Sequence, residues 1–192
     1  ENKSVTSDEI DILAFLKSKN DIKKLNILHV GIGNSFLASK LKDFNEIIGI
    51  TISQNEIKYA STKNIVNYKY FFLNKYKANS LDIFENKKFD IIIDTNIKSF
   101  SCCDKAFNNL FKQYVNSLNH SGYIISHING LKWSRIVRPK LSFSLKNFFY
   151  KRLKEYDGPL NNKLGISDCK ILARENNLKL DLDNTNLVIF KK

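Results

Sequence analysis

With 192 residues, 43% hydrophobic and 26% charged, the chain has the size and composition of one globular domain that needs neither disulfides nor a structural metal. Its apolar runs, such as 47–52 and 91–93, fall far short of the roughly 20 residues a bilayer span needs. The polar N-terminus carries no apolar segment of the signal-peptide kind, so the cytoplasm is the expected address. A formal net charge of +12 points to anionic partners, but Lys, Asn and Ile are spread along the whole chain. Only a local concentration of basic residues is therefore informative.

In chain order, Ser7 reads as an N-cap, followed by Asp8, Glu9 and apolar residues at 12, 13, 15 and 16, a helix start with acids at its positive end. A short apolar run, Leu25–Val30, leads directly into Gly31-Ile32-Gly33. Ser35–Leu41 reads as a helix and Glu46–Ile52 as a second buried strand. The alternation continues with Gln54–Lys63 as helix, Tyr68–Leu73 and Phe89–Asp94 as strands, Lys105–Asn119 as helix and Gly122–Ile128 as strand. Helical pattern follows over Leu131–Tyr156, then a Gly158-Pro159 break, then a helix at Ser167–Asn176. Two last strands, Leu178–Leu182 and Asn186–Lys191, are joined by a turn at Asp183–Thr185.

Continuous β-branched runs are buried on both faces, and helices alternate with them, so the sheet is expected to be parallel and covered on each side. The closing hairpin must be antiparallel, because its turn is too short for a crossover. The expectation is an α/β, Rossmann-like, mostly parallel sheet of seven strands with helices on both faces and a C-terminal antiparallel hairpin. Residues 1–192 form one domain in this reading, with 131–160 as a helical lid inserted after the fifth strand.

The chemistry is expected beyond the carboxyl ends of the strands. Glycines at 31 and 33 allow a tight turn and a close backbone approach to a ligand, and the next helix offers free N–H groups. A dinucleotide fingerprint needs a third glycine at position 36, where Phe36 stands, and no GxxxxGK[ST] phosphate loop occurs; nicotinamide and flavin cofactors are disfavoured. The neighbours Cys102 and Cys103 and the distant Cys169 match no zinc or disulfide pattern, so reduced thiols and no metal are expected.

Residues 25–33 resemble the first motif of class I S-adenosylmethionine-dependent methyltransferases, an apolar strand running into an acidic residue and then Gly-x-Gly. Ile48-Gly49-Ile50-Thr51-Ile52-Ser53 is similar to the Gly-x-Thr-x-Ser turn of the branch that includes cyclopropane fatty acid synthases and several small-molecule methyltransferases. Phe89–Asp94 resembles the family's fourth strand, and Asn119–Ile125 its entry into the fifth. The resemblance covers roughly residues 25–130 and implies S-adenosyl-L-methionine as cofactor. It places the methionine part at His29, Gly31, Gly33, Asn34 and Ser35, and the ribose region at Thr51, Ser53 and Glu56. Asn74 falls at the adenine edge, and Asp94 is a further carboxylate candidate. The chain departs from the family pattern in four places: His29 stands where an acid is usual, Ser35 where a third glycine is common, Thr51 where most families carry an acidic ribose ligand, and Asn74 and Lys75 where an adenine-contacting acid often follows the third strand.

Asp94-Thr95-Asn96 lacks the Asn/Asp-Pro-Pro-aromatic motif of adenine amino methyltransferases. His127, at the exit of the fifth strand, is a candidate general base, with a structurally hydrogen-bonded histidine as the alternative. Many methyl transfers need only alignment of the acceptor with the sulfonium methyl. Residues 131–156 hold eight Lys or Arg interleaved with aromatics and no acid before Glu155. Within them Trp133, Arg135, Arg138 and Tyr150 are the candidate acceptor-binding residues. The expected partner is a small or mid-sized acceptor, an anionic one being favoured by this stretch. The alternatives are RNA methylation, or a noncatalytic module that binds an acidic partner or membrane through 131–156.

Overall fold

The computed structural model describes residues 4–19, 24–42, 45–84, 87–132, 163–182 and 186–192. It opens with α1 (Ser7–Ser18), followed by β1 (Asn26–Val30), α2 (Phe36–Leu41), β2 (Glu46–Thr51), α3 (Gln54–Ser61) and β3 (Tyr68–Phe72). A 3₁₀ turn at Asp82–Phe84 leads to β4 (Phe89–Ile93), α4 (Asp104–Ser117), β5 (Leu118–His127) and the short α5 (Ile128–Leu131). The chain closes with α6 (Ile166–Glu175), β6 (Lys179–Leu182) and β7 (Leu187–Lys191).

The seven strands form one sheet in the order β3-β2-β1-β4-β5-β7-β6. β1 to β5 pair in parallel, whereas β7 runs antiparallel to both β5 and β6. The expected closing hairpin is present, and its second strand is the inner one. The chain thus returns through β6 at the edge before β7 slots beside β5.

Strand periodicity explains the two-sided core. Alternate residues belong to opposite layers: Leu28, Ile48, Ile92, Ile124 and Val188 meet α4 and α6, while Ile27, Ile47, Ile91, Ile125 and Ile189 meet α1, α2 and α3. The α4 stripe of Phe107, Leu110, Phe111 and Tyr114 follows helical spacing and is almost fully buried. Each such side chain contributes about 1.5–3 kcal/mol relative to exposure, so packing of this stripe rather than helix propensity holds α4 in place.

Local chemistry moves several boundaries. Thr6, not Ser7, caps α1: its hydroxyl accepts the Glu9 N–H at 3.3 Å, and the Glu9 carboxylate accepts the Thr6 N–H at 2.9 Å. α4 stops at Ser117 because Leu118 is extended and pairs with Phe89, so β5 starts four residues before Gly122, with a register shift between Phe89 and Ile91. β5 ends one residue early, because His127 caps α5 by accepting the Asn129 N–H. The Gly158-Pro159 break, the Asp183–Thr185 turn and the lid beyond Lys132 lie outside the described residues.

Candidate functional site

Strand order reverses between β1 and β4: β2 and β3 lie to one side of β1, and β4 starts the other. Loops leaving the carboxyl ends of β1 and β4 therefore diverge and open a crevice. A cavity of about 490 Å³ sits there. Val30 and Gly31 line it from β1, Ile50 to Ser53 from β2, and Glu56 from α3. Leu73 to Tyr76 follow β3, and Asp94 to Asn96, Ser99 and Phe100 follow β4.

Gly31 has φ +76°, a left-handed conformation, and its N–H reaches the Ile50 carbonyl at 2.8 Å. A Cβ at this position would meet no atom beyond its chain neighbours within 4 Å, so the missing Cβ leaves open space. The two loops are tied by Glu56. Its Oε2 accepts the Thr51 hydroxyl at 2.7 Å and the Gly33 N–H at 3.2 Å. Ser53 caps α3, its Oγ accepting the Glu56 N–H, while its own N–H goes to the Thr51 Oγ1. Glu56 is thus fixed at a helix N-terminus, where a carboxylate is favoured. Asn74 Oδ1 accepts the Tyr76 N–H at 3.0 Å and shapes the turn after β3.

The floor of the cleft carries an internal ion pair. Asp94 is 2% exposed, and its Oδ2 accepts Lys75 Nζ at 2.8 Å and the Tyr114 hydroxyl at 2.8 Å. Lys75 Nζ also donates to the Asn96 and Ile97 carbonyls at 3.0 and 3.2 Å. Its three donors thus match three acceptors. Burial lowers the Lys75 ammonium from its usual range, opposed by the Asp94 charge. Burial, with Asp94 adding to it, raises the Tyr114 phenol. The Tyr76 hydroxyl lies within hydrogen-bond reach of the Ile97 and Ser99 carbonyls, bracing the loop after β4.

Of the expected site residues, Gly31, Thr51, Ser53, Glu56, Asn74 and Asp94 meet at this cleft. His29, Gly33, Asn34 and Ser35 are absent from its wall. His29 is 4% exposed and points to the α1–α3 layer, because its strand neighbours Leu28 and Val30 take the other face. Burial depresses its pKa to about 4, with Glu56 partly opposing, and its Nδ1 has no hydrogen-bond partner among the described residues. Ser35 is fully buried at φ +59° and caps α2 without a side-chain bond. Asn34 Oδ1 accepts the Phe36 N–H at 2.9 Å.

His127 is absent from the cleft wall as well. Its Nε2 lies 3.1 Å from Asp11 Oδ2, and its Nδ1 accepts the Asn129 N–H and lies 3.4 Å from Asp8 Oδ1. The side chain is 1% exposed and joins β5 to α1. Both ring nitrogens thus lie within hydrogen-bond reach of protein partners. Trp133, Arg135, Arg138 and Tyr150 lie outside the described residues.

Sequence reasoning missed Tyr76, Thr95, Asn96, Ser99 and Phe100 as cleft residues, and it named Lys75 beside Asn74 after the third strand without giving it a role. The positions directly after β3 and β4 were within reach of the strand-end rule; a partnership between residues 75 and 94 carries no sequence signal. Among the described residues no group of three or more His, Cys, Asp or Glu could hold a metal ion, and no helix is long and apolar enough to cross a membrane.

No protein-family model and no curated protein matches the chain in sequence. Solved structures match it in shape. The N-methyltransferase NodS from Bradyrhizobium japonicum superposes with a TM-score of 0.62 at 12% identity, covering 96% of this chain and 93% of that one. Magnesium protoporphyrin IX methyltransferase from Synechocystis, crystallised with S-adenosylhomocysteine, gives 0.60 at 14% identity, covering 95% and 80%. A TehB-like SAM-dependent methyltransferase from Corynebacterium glutamicum gives 0.60 at 12% identity, covering 100% and 90%. At these identities the likeness is one of architecture, and the chain has the Rossmann-like fold of these methyltransferases.

Proposed function

We propose that this chain is a methyltransferase that takes its methyl group from S-adenosyl-L-methionine and passes it to a small or mid-sized acceptor. The observation that carries the reading is Gly31, left-handed and facing open space at the switch point of a methyltransferase-like sheet, beside a carboxylate fixed on Thr51. The residues present fit the cofactor. A cavity of about 490 Å³ is within the range of small-molecule sites. The backbone at Gly31 would hold the methionine part, Thr51, Ser53 and Glu56 the ribose region, and Asn74 the adenine edge. The Thr51-x-Ser53 turn keeps the small-molecule branch as the nearer analogue.

When bound, the cofactor supplies an electrophilic methyl group on a sulfonium. The chain's own part is positioning. Glu56 locks the loops after β1 and β2 into one geometry, Lys75 and Tyr76 fix the loop after β4, and Phe100 gives the mouth an apolar wall that limits water. His127 is assigned no proton transfer, since Asp11 and Asn129 occupy its ring. Residues 131–160 are the proposed acceptor lid, with Trp133, Arg135, Arg138 and Tyr150 toward an anionic group.

A thermal-shift titration with S-adenosylhomocysteine tests the reading. Ligand at a hundredfold its dissociation constant stabilises a fold by about 2.7 kcal/mol, roughly a 5–10 °C rise in Tm for this size. Gly31→Asp should abolish the rise: its Cβ meets open space, and the strain of an Asp at φ +76° is checked by confirming that the variant still melts cooperatively. A folded wild type with no shift would instead favour the noncatalytic module.

A further inference from the structure

Resting on the methyl-donor reading, a second inference concerns the balance of charge in the cleft. Among the described residues the charged side chains lining it are Glu56, Asp94 and Lys75. The donor and its demethylated product, S-adenosylhomocysteine, differ by one methyl group and one positive charge. A carboxylate in the cleft favours the sulfonium by Coulomb attraction, and a cation cancels that preference. Here the cation is built in: Lys75 is 11% exposed, lies 2.8 Å from Asp94 and is held in place by the Asn96 and Ile97 carbonyls.

We propose that Lys75, by neutralising Asp94 inside the cleft, reduces discrimination between the sulfonium donor and its neutral thioether product and so sets how strongly product is retained. Lys75 is then a specificity-determining residue. The enzyme it creates responds to the ratio of donor to product rather than to donor alone. A sphere of the cleft's volume, about 490 Å³, is about 10 Å across, which sets the scale of the separation between Lys75 and a charge on the ligand. At that distance and an effective dielectric of roughly 20 to 40, one unit charge changes the affinity ratio about four- to sixteenfold.

The test is calorimetric titration of S-adenosylmethionine and S-adenosylhomocysteine into four proteins at about pH 8, where carboxylates are ionised. These are the wild type, Lys75→Met, Asp94→Asn and the double variant. Lys75→Met should move the ratio of the two Kd values toward the sulfonium by about four- to sixteenfold. Asp94→Asn should move it toward the thioether, and the double variant should return it near the wild-type value. Asp94→Asn keeps the carbonyl acceptors of Lys75, so it carries the test alone if Lys75→Met does not fold. Ratios within twofold of wild type in folded, ligand-binding variants overturn this proposal and leave the methyl-donor reading intact. A folded wild type that binds neither ligand removes both.

Discussion

Lowering the pH should cost this fold stability through His29, and the size of the loss follows from its surroundings. The imidazole sits in β1 among the apolar side chains of the α1–α3 layer, and burial depresses its pKa from 6.5 to about 4. The Glu56 carboxylate pulls the other way but is outweighed. Because the folded value is the lower one, the unfolded chain takes up the proton first as pH falls. The contribution of neutral His29 is therefore complete above about pH 6.5, declines between 6.5 and 4, and falls no further below that. The gap between the two values corresponds to about 3 kcal/mol. Urea unfolding followed by circular dichroism, for wild type and His29→Leu at steps between about pH 7 and pH 4, isolates it. Other titrating groups act on both proteins and cancel in the difference. The wild type should lose about 3 kcal/mol relative to the variant over that span. Stability curves that stay parallel within about 0.5 kcal/mol would refute the reasoning, because His29 would then titrate alike in both states.

Three further outcomes can be measured by the same unfolding assay. Gly130→Ala places a methyl group 1.8 Å from the Thr95 carbonyl oxygen, which Ser126 also holds, so either α5 or the cleft loop must shift; a loss of about 1–3 kcal/mol or more is expected, and a neutral substitution would show that α5 docks otherwise. Tyr114→Phe removes a hydroxyl donated to a buried carboxylate and should cost about 1.5–3 kcal/mol; no loss would mean that Lys75 alone suffices for Asp94. Thr6→Ala breaks the reciprocal cap of α1 and should cost about 1 kcal/mol, a test of where that helix begins.

Much of the architecture was legible because it rests on local rules. Runs such as Ile91-Ile92-Ile93 are apolar at every position, which only a strand covered on both faces requires, and the structure sends Ile92 to one layer and its neighbours to the other. The glycine turn after β1 and the positions after β2 and β4 were likewise readable, since strand ends carry the site in such sheets. The assignment of His29 and Ser35 to the cofactor followed motif spacing alone, whereas strand parity and the α2 cap turn them into the core. What tertiary structure alone decided is pairing at a distance. Lys75 meets Asp94 across 19 residues because parallel crossovers bring the ends of β3 and β4 to one edge, and His127 at the end of β5 meets Asp11 across 116 because α1 packs beside it. No sequence period encodes such a meeting: it arises from strand order, and strand order here set both the charge of the cleft and the histidine that does not reach it.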